Sequence, residues 1–210
     1  IIGVFDNKIG ENQTEQRVKL IKSTSVGNKE WNSNNKNTWS TSSLNTYLNG
    51  EYLTGLATLA ENIASTTWKV GGNTWENIGN QPVKTAYQNE IVSPVTTNTT
   101  DGATEYSAKI GLMYVSDYGY AASPSAWTTT LDHYDSSSIT SVNWMYMELY
   151  EWTISRYADD SGVAFEINQS GEITANPVDS HLEIRPSFYL LPSITYVSGE
   201  GTLNSPIIIN

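Results

Sequence analysis

Cysteine is absent from this chain of 210 residues. Its absence excludes a disulfide framework, thiolate catalysis and cysteine-ligated zinc. Charge is also sparse: charged residues make up 16% of the sequence, against roughly 25% in typical soluble domains. The polar character therefore comes from Asn, Ser, Thr and Gln, a composition common on secreted and cell-wall proteins.

Basic residues are few, since 11 Lys and Arg face 22 Asp and Glu for a formal net charge of -11. A field of that sign repels nucleic acid and anionic lipid, so nucleic acid is excluded as a partner. No run of 18 apolar residues is present, and we expect membrane contact only through a segment absent from this chain. Because the chain begins in an apolar run without Met, we expect a processed or trimmed chain with any signal, anchor or pilin-type leader upstream.

Hydrophobic patterning in the first third predicts an antiparallel hairpin followed by a helix. An apolar run at residues 1–5 and an alternating pattern at residues 18–22, in which Val18 and Leu20 alternate with Lys19, are typical of paired strands. Residues 43–49 are preceded by hydroxyl residues that can serve as an N-cap and end at Asn49-Gly50, which predicts a helix. A further helical turn is expected over residues 51–59.

The rest of the chain alternates between loop-like and strand-like composition. We expect a strand within residues 63–70, little regular structure over 72–105, a short strand at 109–114 leading into a helical turn, and another loop-like region at 121–142. Strands are predicted at 147–156, 163–167 and 182–190, with turns at 159–162 and 168–171 and a closing hairpin over 194–209. Pro186 predicts an edge or a bulge in the last of these three strands. The order indicates an α+β fold with an antiparallel sheet.

Three ordered motifs carry a resemblance to a known family. They are WSTSSLNTYLN at residues 39–49, IGLMYVSDY at 110–118, and EWTISR at 151–156 with IRPSFYL at 184–190. Together they resemble a family of bacterial, Firmicutes-type extracellular domains of unknown function. The tail, residues 194–207, resembles the closing hairpin of surface and pilin-like proteins. The resemblance implies a C-type-lectin-like domain over residues 1–192, with 193–210 as its C-terminal closing hairpin, and an extracellular or cell-surface location.

Candidate catalytic and metal-binding groups do not form recognisable motifs. Asp159 and Asp160 lie in a predicted solvated turn, and the spacing of Glu148 and Glu151 places them on opposite faces of a strand. We therefore expect a protein that is not an enzyme and needs no cofactor. Calcium stays open as a cofactor, because residues 31–34 and 176–179 resemble lectin-type calcium triplets only in part.

Aromatic residues are the strongest sign of a binding surface. The chain has 7 Trp and 13 Tyr against 3 Phe, and amphipathic rings suit sugar stacking and protein interfaces. Trp68 and Trp152 lie in predicted strands and are expected in the core, and Arg185 is expected to form a structural ion pair. The candidate ligand-binding residues lie in or beside predicted loops and turns: Trp31, Trp39, Trp75, Trp127, Tyr157, Asp159 and Asp160.

The sequence therefore favours a non-enzymatic cell-surface or pilus-associated domain. It would bind a host or bacterial surface protein or a glycan through a loop-rich face built from residues of about 72–105 and 119–142, or would self-assemble as a filament subunit. The alternative is a secreted carbohydrate-active enzyme that uses Glu148, Glu151 or Asp160 as acid or base.

Overall fold

The chain combines antiparallel sheets with short helices in a mixed α+β architecture. A computed structural model describes residues 1–94, 103–200, 204–205 and 207–210. The strands are β1 (Gly3–Gly10), β2 (Gln13–Ile21), β3 (Asn28–Glu30), β4 (Thr66–Lys69), β5 (Gly72–Asn73), β6 (Glu105–Ala108), β7 (Ile110–Gly111), β8 (Glu151–Tyr157), β9 (Val163–Ile167), β10 (Ile173–Pro177), β11 (His181–Glu183), β12 (Ser187–Tyr189), β13 (Tyr196–Ser198) and β14 (Ile208–Ile209).

The helices are short, and most of them continue into or alternate with single helical turns. The α-helices are α1 (Ser43–Tyr47), α2 (Leu53–Gly55), α3 (Val83–Tyr87), α4 (Val115–Tyr120) and α5 (Ser137–Thr140). The π-helical turns are Leu48–Tyr52, Trp75–Gly79 and Gln88–Val92, and the 3-10 turns are Trp39–Thr41, Ala57–Asn62, Pro124–Ala126 and Leu131–His133. Across the described ranges, none of these helices has the length and apolar content needed to span a membrane.

Two larger sheets organise the molecule. The first has the strand order β1-β2-β12-β7, and the second has the order β10-β9-β8-β11-β3, with β5 pairing in parallel with β8. Two further pairs, β4-β6 and β13-β14, are antiparallel hairpin-like ribbons. Strand β8 is buried along nearly all its length, because it lies inside its sheet and carries side chains into the core from both faces.

Buried apolar side chains form two clusters. One is built around Trp31, Trp68 and Trp152, and the other around Tyr118 and Phe165. Helix α4 lies in the second cluster, whereas the first sheet contributes to the first cluster. At the start of α4, Tyr114 belongs to the first cluster and Val115 to the second, and the site described below lies at this position.

Local sequence signals account for the elements that were predicted correctly. The N-terminal hairpin, strand β9 and the closing hairpin are confirmed. Helix α1 begins at Ser43, where the Ser42 hydroxyl accepts a hydrogen bond from the Asn45 N–H at 3.0 Å. The predicted end at Gly50 is wrong, because a π-helical turn carries the helical backbone through that glycine to Tyr52.

The expectation of little regular structure over residues 72–105 is wrong for its described part. This stretch contains β5, α3 and two π-helical turns. Ile78, Val83 and Ala86 are buried in the second cluster, so tertiary packing stabilises helical turns too short to show a period in the sequence. Residues 95–102 of this stretch lie outside the described residues.

The predicted strand at residues 182–190 divides into two strands that belong to different sheets. Pro186 lies in the gap between β11 and β12, where the missing N–H costs no ladder hydrogen bond. The predicted strand at 147–156 begins only at Glu151, because Glu148 has a left-handed backbone with φ 55°. Strand β10 was not predicted.

Candidate binding groove and buried charged cluster

An open cavity lined by aromatic side chains lies at the end of the molecule where α3 and α4 approach strand β1. It has a volume of about 310 Å³, and we call it the aromatic groove. Its lining residues are Ile2, Phe5, Tyr87, Asp117, Tyr120, Ala121 and Trp144. Tyr87 ends α3 and Tyr120 ends α4, so the packing of these two helices sets the spacing of the rings.

The rings of the groove hold one another through edge contacts. Tyr120 lies edge-on to Tyr87 at 5.9 Å between centroids and to Trp127 at 5.1 Å. Trp127 is fixed in turn by its Nε1–H, which donates to the Ala122 carbonyl at 3.0 Å. Trp144 is 52% exposed and Tyr120 is 37% exposed, so both rings offer contact area to solvent.

A second, more polar cavity continues from the groove along strand β1. Its volume is about 620 Å³, and it shares Phe5 and Tyr87 with the groove. The remaining lining residues come from β1, the β4–β6 ribbon and their neighbours: Val4, Asp6, Asn7, Lys8, Thr67, Lys69, Ile91, Glu105, Tyr114 and Tyr189. The two cavities together form an extended surface with an aromatic end and a polar end.

A buried ion pair lies beside the groove, to which it contributes Asp117. Lys19 Nζ on β2 is 2.5 Å from Asp117 Oδ2 on α4, and the two side chains are only 1% and 8% exposed. Asp117 Oδ2 also accepts the Tyr114 N–H at 2.8 Å, so the carboxylate caps the start of α4. The pair therefore joins the first sheet to the helix that carries Tyr120.

Four aromatic rings surround the Lys19 ammonium. The centroid of Tyr114 is 4.4 Å from Nζ, and those of Trp68, Tyr189 and Phe5 are 5.3, 5.6 and 5.9 Å away. Burial on its own lowers the pKa of Lys19, but the charge of Asp117 and further acidic neighbours outweigh it, so the pKa is raised. The site therefore favours the charged ammonium form of Lys19 beside the Asp117 carboxylate.

The carboxyl group of Glu90 is buried immediately beside this pair. It accepts hydrogen bonds from the N–H groups of Val115 and Ser116, at 3.2 and 3.0 Å, and from the Ser116 and Ser155 hydroxyls. Burial raises the pKa of Glu90, its hydrogen bonds oppose this, and the nearby charge of Asp117 adds to the increase. Glu90 thereby fixes the backbone that leads into Asp117.

The two tryptophans of the first predicted loop are not on the surface. Trp31 is 0% exposed and Trp39 is 2% exposed, and their rings meet edge-on at 5.2 Å. The Trp31 Nε1–H donates to the carbonyl of Thr153 at 3.0 Å, which anchors the loop against β8. The expectation that these rings are available to a ligand is wrong, because the Asn-rich loop folds back and uses them as core.

Four other predicted site residues lie together on a different part of the surface. Trp75 stacks on Phe165 at 6.2 Å, and Tyr157 meets the same ring edge-on at 5.4 Å. Asp159 and Asp160 are exposed in the turn after β8, as predicted. Burial raises the pKa of Tyr157, and Asp159 adds to the increase. Trp75 and Tyr157 are half-buried against the core, so they offer less free ring area than Trp144.

Only Trp127 among the predicted binding residues contacts the aromatic groove. Sequence reasoning singled out neither Tyr87 nor Tyr120, although both lie within the ranges 72–105 and 119–142 expected to form the binding face. It missed Trp144, which lies two residues beyond the second range. It also missed Lys19, because strand alternation had placed that lysine on the solvent side of β2. The structure buries Arg17 and Lys19 and leaves Val18 and Leu20 half-buried, so the predicted faces of this strand are reversed.

The other charged residues considered as catalytic or metal-binding groups either form structural ion pairs or lie outside both cavities. Arg185 makes a bidentate, buried ion pair with Glu151 at 2.5 and 2.7 Å, as predicted for a structural arginine. Glu148 and Asp160 are exposed and line neither cavity described above. Within the part of the chain that the structure describes, no cluster of three or more His, Cys, Asp or Glu side chains is placed to hold a metal ion.

Comparison with known proteins gives a family without an assigned activity. No curated protein and no solved structure matches the chain. A family model described as a domain of unknown function, DUF6273, matches residues 15–192, which include both sheets' central strands, α4 and the buried Lys19–Asp117 pair. The chain therefore belongs to the DUF6273 family of domains of unknown function.

Proposed function

We propose that this chain is a non-enzymatic, glycan-binding domain of a bacterial cell-surface or pilus-associated protein, with a C-type-lectin-like arrangement of its sheets and loops. The observation that carries the proposal is the aromatic groove, where Tyr87, Tyr120 and Trp144 line one open cavity. Aromatic rings stack on the apolar faces of sugars, so exposed rings that line one cavity suit a sugar ligand.

The size of the groove favours a sugar over a flat protein surface, and the net charge of the chain restricts the kind of sugar. A volume of about 310 Å³ lies at the lower end of the range for small-molecule sites, and it suits one or two sugar rings. The polar cavity that continues along β1 would accommodate further units of a longer glycan. A net charge of -11 favours neutral or basic sugars and disfavours sulfated or sialylated ones.

The test is binding of the purified chain to an array of neutral, basic and acidic glycans, followed by calorimetry on the best ligand. We expect Trp144→Ala and Tyr120→Ala each to weaken binding about tenfold or more, since a central ring contact contributes on the order of 1.4 kcal/mol or more. Tyr196→Ala is the matched control, because Tyr196 is exposed on the closing hairpin, distant in sequence from the groove. Equal binding by all variants would reject the groove as the site.

Two other outcomes would redirect the proposal. Release of reducing sugar from the bound glycan, abolished by Glu148→Gln or Asp160→Asn, would favour the carbohydrate-active enzyme instead. Glu151 is a poor acid or base for such an enzyme, because Arg185 holds both of its oxygens. Filaments formed by the pure protein, together with an array on which no glycan binds, would favour a filament subunit.

A further inference from the structure

Lys19 and Asp117 bring an amine and a carboxyl group into direct contact inside the protein. Their Nζ and Oδ2 atoms are 2.5 Å apart, although the two residues are 98 positions apart in the sequence. Both residues belong to fixed backbone: Lys19 lies within β2, which pairs with β1 and β12, and Asp117 lies in the first turn of α4. An amine and a carboxyl group held in this way are the two reactants of an amide bond.

The Lys19 ammonium is almost completely buried and Asp117 is only 8% exposed, toward the aromatic groove, so the pair holds two charges largely away from water. Phe5, Trp68, Tyr114 and Tyr189 enclose the ammonium at 4.4 to 5.9 Å. Two buried charges carry a desolvation penalty that their mutual attraction repays only in part. Conversion to a neutral amide would remove both charges, and the scarcity of water beside the bond would oppose its hydrolysis.

We propose that Lys19 and Asp117 condense spontaneously after folding, so that an intramolecular amide cross-link joins β2 to α4. A proton first passes from the Lys19 ammonium to the Asp117 carboxylate, the resulting neutral Nζ attacks Asp117 Cγ, the new C–N bond forms, and the bond from Cγ to Oδ1 breaks. The ammonium loses two protons, and both end on the departing oxygen, which leaves as one water molecule. The step needs no oxidant, reductant or cofactor, and the total charge is unchanged.

The surroundings of Asp117 favour attack of Lys19 Nζ at Asp117 Cγ. The Tyr114 N–H contacts Oδ2 at 2.8 Å and would stabilise the negative charge on that oxygen in the tetrahedral intermediate. Asp117 also lines the aromatic groove, which gives the departing water a route to solvent. Glu90 fixes the N–H groups of Val115 and Ser116 and so limits the movement of the carboxyl group. Such fixed proximity can replace a very high reactant concentration.

The same protein contains a matched pair that cannot react in this way. Arg185 and Glu151 are in contact at 2.5 Å and are also almost fully buried, but a guanidinium group stays charged and is not nucleophilic. Mass mapping should therefore find the tryptic peptides that contain Arg185 and Glu151 unjoined. The Arg185–Glu151 pair is therefore an internal control: a cross-link found only between Lys19 and Asp117 would show that the reaction is specific to the lysine pair.

The decisive measurement is the intact mass of the purified, denatured chain, followed by a tryptic map. We expect the mass to be lower than the sequence mass by one water. We also expect residues 18–22, with Lys19 uncut, to be joined as a branched peptide to residues 110–156. A full sequence mass, together with cleavage after Lys19, would overturn the proposal and leave a simple ion pair.

Two variants at Asp117 test the chemistry itself. Asp117→Ala should show the full mass expected from its sequence, and a remaining deficit of one water would overturn the assignment to Asp117. Asp117→Asn can still condense with Lys19, but it would release ammonia in place of water. A deficit of one ammonia in that variant would support direct attack at Cγ, whereas a deficit of one water there would contradict it.

Discussion

Glu90 is a buried carboxyl group whose described hydrogen-bond partners are hydroxyl and backbone N–H groups. Val115, Ser116 and Ser155 supply these donors. Burial raises the pKa of Glu90 above its ordinary value of about 4.3. The native state therefore keeps a proton on Glu90 at pH values where the unfolded chain has lost it. This difference in proton binding makes the free energy of unfolding depend on pH.

The sign of that dependence follows from proton binding. Above a pH of about 4.3, the unfolded chain begins to lose the Glu90 proton while the native state still holds it. The contribution of Glu90 to the free energy of unfolding is therefore fully present below that pH. The contribution is lost as the pH rises through the raised pKa of the folded state. We expect the free energy of unfolding to fall with rising pH in this window, by at most about 1.4 kcal/mol per pH unit for this one group.

The variant Glu90→Gln removes the titration and should reduce the slope. The measurement is urea unfolding at a series of pH values for the wild type and the variant. Glu151 and Glu166 are also buried acids with raised pKa values, so the difference between the two slopes, and not the wild-type slope, isolates Glu90. Identical slopes in the two proteins would contradict the assignment.

At the scale of elements, the contact between α4 and α3 decides the shape of the aromatic groove. Gly119 lies in α4 against α3, and a Cβ atom added there would lie 2.6 Å from Val83 of α3 and 2.7 Å from Leu131 of a neighbouring 3-10 turn. These distances are shorter than van der Waals contact, so a larger residue must displace one of the partners. Since Tyr120 follows Gly119 directly, such a displacement would move the groove's rings.

We expect Gly119→Ala to lower the free energy of unfolding by about 1–3 kcal/mol through overpacking. The matched control is Gly55→Ala in α2, where an added Cβ meets nothing within 4 Å. That change should be neutral or stabilise the protein by about 0.4–1 kcal/mol, because it only reduces the entropy of the unfolded chain. Thermal unfolding of both variants checks the prediction, and equal destabilisation would contradict the packing argument.

Elements with local signals could be predicted from the sequence, whereas elements held by tertiary contacts could not. The Ser42 cap and the turn at residues 159–162 have recognisable chemistry, so α1 and the β8–β9 hairpin were found. Helix α3 has no such signal: it depends on the burial of Val83 and Ala86 against residues distant in sequence.

The candidate site was harder to predict for the same reason. The ring of Trp144 acquires a role only when Tyr87 and Tyr120, from two different helices, come beside it. The burial of Lys19 likewise depends on Asp117, which is 98 residues away and supplies the opposite charge. A polar residue in an alternating pattern is normally exposed, and no local feature marks this exception.

For the whole molecule, the Lys19–Asp117 pair lies between the two buried clusters. Lys19 packs among Trp68, Tyr114 and Tyr189 of the first cluster, and α4 contributes Val115 and Tyr118 to the second. The chain has no cysteine, so no disulfide joins these parts. A cross-link here would close a chain segment of about 100 residues, for which loop-closure entropy predicts about 4.7 kcal/mol of stabilisation.

Stability measurements can separate this cross-link from an ordinary ion pair. The double variant Lys19→Met, Asp117→Asn removes both charges and the nucleophile, and its Asn side chain can still accept the Tyr114 N–H. Replacement of a simple buried ion pair by uncharged groups is often neutral or stabilising. Loss of the cross-link should instead lower the free energy of unfolding by about 4 kcal/mol. Urea unfolding with a full mass check on each protein gives the answer, and a double variant as stable as the wild type would show that no covalent bond supports the fold.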